Sequence, residues 1–244
     1  MRQQKRKRLV ILVVGLAASI QTHVASAEIS DKRRVTFAGA RPAIARVRSP
    51  EGDEGASYGS GTLVGIDKKH GIVLTNWHVI RDATGQVSVE FPGGFRSNAT
   101  VLLSDETWDL AALLISRPNV KPVEIAWQEP VRGDRLTIAG YGAGKYREMT
   151  GRVTQFVSPG EEHPFEMVEV DVAARQGDSG GPILNTKGRL AGVLFGSADG
   201  STNGSHCRRV RWFVRRALAK RPRLIQAVLG LPAEILDAAV GHPK

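Results

Sequence analysis

From Ile44 onward the chain advances in short apolar runs separated by Gly, Asp, Asn and Pro, and that rhythm restricts its fold more than any other feature. Runs of this length, with no helical period between them, read as strands joined by tight connections. They fall at Ile44–Arg48, Ser60–Ile66, Gly71–Thr75, Val87–Phe91, Thr100–Leu103 and Leu110–Ile115, then at Arg135–Tyr141, Tyr146–Val157, Met167–Val172, Pro182–Leu184 and Leu190–Phe195. Gly55 to Gly61 reads as a flexible lead into the second run, and Pro118, Pro122 and Pro130 mark a linker between two halves. No sequence repeat relates the halves. Even so, the same style of short strands, six runs in the first half and five in the second, predicts an all-β fold of two six-stranded antiparallel β-barrels, followed by a C-terminal α-helix. The expected units are residues 28–117, a linker at 118–134, residues 135–207, and a basic helix and tail at 208–244.

The helix is expected from Val210, Phe213, Val214, Ala217 and Leu218, which recur on one face with arginines opposite. It is expected to dock on the second barrel, its basic face being available for contact with a membrane surface or an acidic partner. Residues 224–240 are expected to add a further short helix.

At the other end, Arg2, Lys5, Arg6, Lys7 and Arg8 precede an apolar run from Leu9 to Ile20 and the small residues Ala25-Ser26-Ala27. This is the pattern of an export signal, too short to span a bilayer comfortably. Cleavage after Ala27 and a periplasmic or secreted protein are expected, with an uncleaved anchor as the alternative.

The formal net charge of +10 sits at the two ends, because residues 208–244 carry nine cations against Glu234 and Asp237. The body between is slightly acidic, which argues against a nucleic-acid-binding face. Cys207 is the only cysteine, so no intramolecular disulfide can form and the core must hold the fold. It reads as a structural thiol.

One stretch carries chemistry: Gly177-Asp178-Ser179-Gly180-Gly181-Pro182. Glycines let the chain turn amide groups toward one point beside a serine hydroxyl, and the amides of Gly177 and Ser179 are candidates for holding an oxyanion. A serine needs a base and a group to orient that base. Upstream, Gly71 to Ile80 reads as a buried strand ending at His78, and Asp109 immediately precedes another apolar run.

These motifs, Thr75-Asn76-Trp77-His78-Val79, Asp109-Leu110-Ala111 and the serine hexapeptide, resemble those of the trypsin/chymotrypsin-like serine proteases, in the style of the disulfide-free bacterial members. The resemblance spans about residues 35–205. It implies an endopeptidase acting on proteins or peptides without metal or cofactor, with its cleft between two barrels. Ser179 would then be the nucleophile, His78 the general base and Asp109 its orienting acid.

By the same resemblance the primary pocket is set by Ala173 and Ala174 and walled by Phe195, Gly196 and Ser197, implying a small or apolar residue before the scissile bond. Phe195-Gly196-Ser197 departs from the family's usual Ser-Trp-Gly, so the usual hydroxyl support for the aspartate does not carry over. Animal relatives bury a newly cut apolar N-terminus against the aspartate before the serine. No Ile/Val-Val-Gly-Gly run lies near residue 28 or later, so Asp178 lacks that amine and no such activation step is expected.

Two other readings compete. Gly-x-Ser-x-Gly also suits an α/β-hydrolase, but that fold needs acid and base after the serine, where only 65 residues remain. A catalytically silent binding protein on a protease fold is the second. His70, His163 and His206 show no ligand spacing and read as ordinary residues.

Overall fold

The computed structural model describes residues 39–52 and 55–230; the expected export signal, its expected cleavage point and the chain beyond Gly230 lie outside them. Six strands come before residue 117: β1 (Ile44–Glu51), β2 (Gly55–Ile66), β3 (His70–Thr75), β4 (Ser88–Glu90), β5 (Arg96–Asp105) and β6 (Leu110–Ser116). Six more follow residue 134: β7 (Arg135–Gly140), β8 (Arg147–Val157), β9 (Met167–Val170), β10 (Pro182–Leu184), β11 (Leu190–Ala198) and β12 (Ser201–His206). A single-turn helix, α1 (Trp77–Ile80), follows β3, while α2 (Cys207–Ala217) and α3 (Pro222–Leu229) end the described chain.

Each set of strands closes into an antiparallel barrel, β1-β2-β3-β6-β5-β4 and β7-β8-β9-β12-β11-β10. The orders are the same, strand for strand, although no repeat is legible in the sequence. Closure removes exposed sheet edges, and register shifts at Leu63/Gly65, Val101/Leu103, Val153/Gln155 and Leu194/Gly196 supply the bends it requires.

Three readings of the sequence need correction. Gly55 to Gly61 is not a flexible lead: β2 begins at Gly55 and pairs with β1 from there to Thr62. The strand β12 was absent from the apolar runs because its residues are Ser, Thr, Asn, Gly and His. Its signal is the Asp199-Gly200 turn, with φ of 49° and 81° at the two central residues, the conformation that joins tight hairpins. Third, the C-terminal helices are not confined to the second barrel. Val210, Phe213 and Val214 of α2, Leu218 just beyond it, and Leu224, Ile225, Val228 and Leu229 of α3 belong to the same buried cluster as the strands of the first barrel. Here α2 touches β5 and β6 as well as β11 and β12, while α3 lies on β2.

The segment between the barrels is tied to both. The Val123 amide donates to the Leu63 carbonyl, and the Ala126 amide donates to the Leu190 carbonyl. Across the interface, the Ser60 amide donates to the Ser179 carbonyl at 2.7 Å. That bond fixes where the serine loop sits against the first barrel.

Candidate active site

His78 lies in α1, which begins where β3 runs out of the barrel and buries Val79 and Ile80 beneath it. Asp109 stands at the start of β6, beside β3 in the sheet. Its backbone is left-handed, with φ of 48°, a conformation that costs a non-glycine residue about 1 kcal/mol and that Asp tolerates better than most. Two bonds hold it there: the Asn76 amide nitrogen donates to its carbonyl at 2.6 Å, and its own N–H donates to the Glu106 carbonyl.

The carboxylate then grips His78 twice, accepting from its backbone N–H through Oδ1 at 2.9 Å and facing its Nδ1 through Oδ2 at 2.6 Å. With Nδ1 engaged, Nε2 is the ring nitrogen left to exchange a proton. Asn76 is a residue that sequence reasoning named only as part of a motif.

Ser179 sits on the loop between β9 and β10. Gly177 there has φ of 90° and Gly180 φ of 82°. A Cβ on Gly180 would also lie 2.1 Å from the Ser60 carbonyl oxygen, so glycine is the only residue that fits this close approach. Among the described residues, the N–H groups of Gly177 and Ser179 donate to no protein acceptor, whereas those of Asp178, Gly180 and Gly181 all do. Two amides without an acceptor, one of them the serine's own, are what a place for an anion beside that hydroxyl would require.

The loop is held by Asp178, whose side chain is buried. Its Oδ1 accepts from the Gly142 amide at 2.6 Å and from Arg175 Nη2 at 3.0 Å, while Oδ2 accepts from the Arg175 amide at 2.8 Å and lies 3.6 Å from Arg147 Nη2. Arg175 and Arg147 thus supply the positive charge that a buried carboxylate needs. Neither was picked out from the sequence, although the three-residue spacing of Arg175 and Asp178 was a visible cue. Ser60 was missed as well: its hydroxyl donates to the Gly177 carbonyl at 2.8 Å and accepts from the Tyr141 amide at 2.9 Å. Its flanking glycines, Gly59 and Gly61, were the available signal.

His78, Gly177 and Ser179 line one cavity of about 1110 Å3. Among the described residues no hydrogen bond joins Ser179 Oγ to His78, a contact that commonly tightens only with substrate in place. Ala173, Ala174, Phe195, Gly196 and Ser197 do not line this cavity. Two of them, Ala174 and Ser197, flank buried Thr202 instead: its Oγ1 donates to the Val172 carbonyl and accepts from the Ala174 amide, and its register partner is Ser197.

Residues 59–193 match the family described as the trypsin-like peptidase domain. The chain belongs to the trypsin-like peptidase family. A probable periplasmic serine endoprotease, DegP-like, of Pseudomonas putida is 31% identical over 154 residues, covering 60% of this chain and 31% of the relative. A serine protease Do-like HtrA of Bacillus subtilis is 28% identical over 158 residues, 59% of this chain and 35% of the relative. The chain therefore spans about a third of the length of these curated relatives. Among solved structures, the serine endoprotease from Yersinia pestis superposes with a TM-score of 0.63 at 27% identity, over 74% of this chain and 64% of that one. The two closed barrels are those of a trypsin-like peptidase.

Proposed function

We propose that this chain is an exported serine endopeptidase, with Ser179 as nucleophile, His78 as general base and Asp109 as the acid that orients it. The observation that carries the reading is the 2.6 Å contact of His78 Nδ1 with Asp109, where His78 lines the same cavity as Ser179 and Gly177. In the first step His78 Nε2 takes the Ser179 proton as Oγ bonds to the substrate carbonyl carbon, whose oxygen becomes anionic. The Gly177 and Ser179 amides receive that oxygen, each worth about 3 kcal/mol in comparable sites. Collapse breaks the C–N bond, His78 returns the proton to the departing amine, and an acyl-enzyme remains. Water, activated by the same imidazole, then releases the acid and restores Ser179.

Periplasmic relatives support export, and the basic, apolar, small-residue pattern of residues 1–27 supports a signal cleaved after Ala27. Ala173, Ala174, Phe195, Gly196 and Ser197, all uncharged, support a small or apolar residue before the scissile bond.

A serine-directed fluorophosphonate tests the assignment. Stoichiometric labelling of the mature chain, lost in Ser179→Ala, is the expected result. A folded chain that stays unlabelled would instead be a silent protein of the same fold.

A further inference from the structure

The cavity beside Ser179 is larger than a triad requires, and its far wall is cationic. Arg46 and Arg48 lie two residues apart on β1, so both project from the same face, and both are exposed. Arg48 is flanked in register by Tyr58 of β2 and Ser88 of β4, with Tyr58 also exposed and also lining the cavity.

The other charges that face this space are already neutralised. Arg96 pairs with Glu90 at 3.0 Å, and Arg175 pairs with Asp178 at 3.0 Å. Glu90, the register partner of Arg46, is the only carboxylate in the lining among the described residues. Arg46 donates to the Gly144 carbonyl and lies 5.1 Å from the Tyr141 ring centre, and has no carboxylate partner among the described residues. Arg48 has neither a hydrogen bond nor an ion pair among them. Arg48, with no partner, and Arg46, engaged by a carbonyl and a ring but by no carboxylate, form with the Tyr58 ring a surface suited to carboxylate side chains.

The residues proposed to set the pocket before the scissile bond do not line this cavity, and two of them, Ala174 and Ser197, lie beside Thr202 instead. The cavity therefore opens on the other side of Ser179, where the departing half of a substrate leaves. We infer that it receives the substrate residues that follow the scissile bond, and that Arg46 and Arg48 select acidic side chains there. The inference rests on the triad reading given above. Its volume, about 1110 Å3, suits several residues of an extended peptide.

The test uses quenched-fluorescent peptides identical up to the scissile bond and carrying Asp, Ala or Lys at the second and third positions after it. For the mature chain, kcat/KM is expected to be about 10-fold higher for Asp than for Lys at low salt, and the gap should shrink at 0.5 M NaCl. In the double variant Arg46→Glu, Arg48→Glu the ratio should invert, and Arg48→Ala alone should reduce it. Because each ratio is taken within one protein, it does not depend on how much of that protein is active.

Parallel fluorophosphonate labelling separates the two readings. A chain that labels and cleaves with no acidic preference overturns this inference and leaves the triad standing. A preference that survives unchanged in both arginine variants overturns it in the same way. A chain that neither labels nor cleaves overturns both.

Discussion

In the first barrel, His78 and Asp109 stand at the ends of β3 and β6, strands whose Ile72, Val73, Leu74, Leu110 and Leu113 are wholly buried. In the second barrel, Ser179 rides on a loop held by Asp178, Arg175, Arg147 and the hydroxyl of Ser60. The strand orders are identical, but one half of the site is positioned by apolar packing and the other by charge and backbone hydrogen bonds. On the proposed reading the two halves also contribute different chemistry: side chains from the first, a hydroxyl and backbone amides from the second. Packing fixes a side chain that must keep one orientation. A polar anchor suits a loop whose amides must stay open, because apolar groups could not satisfy the carbonyls and amides around them.

The largest effects should come from the reacting groups themselves. Ser179→Ala should lower kcat by roughly 10^6-fold with unchanged far-ultraviolet circular dichroism, and Asp109→Asn by roughly 10^4-fold, both read on a fluorogenic peptide. Loss of the anchor comes next. Arg175→Ala leaves the buried Asp178 carboxylate with less positive charge, so the two open amides should lose alignment, and kcat should fall by about 10^2-fold with little change in KM. Lys at the same position should recover part of that loss. A rise in KM alone, with kcat intact, would show that the loop does not need its ionic anchor.

The packing half predicts a different signature. Phe213 of α2 is fully buried in the cluster shared with the first barrel, and Phe213→Ala should cost about 3–5 kcal/mol of stability, measured as a lower urea midpoint. The fraction that remains folded should turn over normally. Equal damage to kcat would mean that the two halves are not held independently.

The smallest effect concerns His206, which caps α2 through Nδ1, accepting from the Arg208 amide at 3.2 Å. Burial holds its pKa below the usual imidazole value. As pH falls through about 6.5 the unfolded chain takes up a proton that the folded chain resists, so stability should drop by no more than ~1.4 kcal/mol per pH unit. His206→Asn, which keeps an acceptor without titrating there, should flatten the slope between pH 7.5 and 5.5.

Legibility in the sequence followed the same division. The apolar rhythm exposed the barrel strands, since alternating burial of Val, Ile and Leu leaves a pattern, and His78, Asp109 and Ser179 were visible through local motifs. The contents of the polar anchor were not. Arg175, Arg147 and Ser60 look like surface residues until the chain is closed around them, because their partners are carbonyls and amides that no residue name reveals. The strand β12 was hidden for a related reason: Thr202 and Ser205 are buried through hydrogen bonds, to Val172, Ala174 and Trp108, rather than through apolar side chains. The docking of α2 and α3 on the first barrel could not be read from amphipathicity, which shows that a face is covered but not by what.

The buried Cys207 thiol, whose ionisation is shifted upward by burial, has a practical consequence. With no second sulfur of its kind in the sequence, refolding from denaturant involves no mispaired cross-links within the chain and needs no oxidant or isomerase. The same thiol at the start of α2 is also an internal clock, because its alkylation rate under native conditions reports how often that helix lifts away.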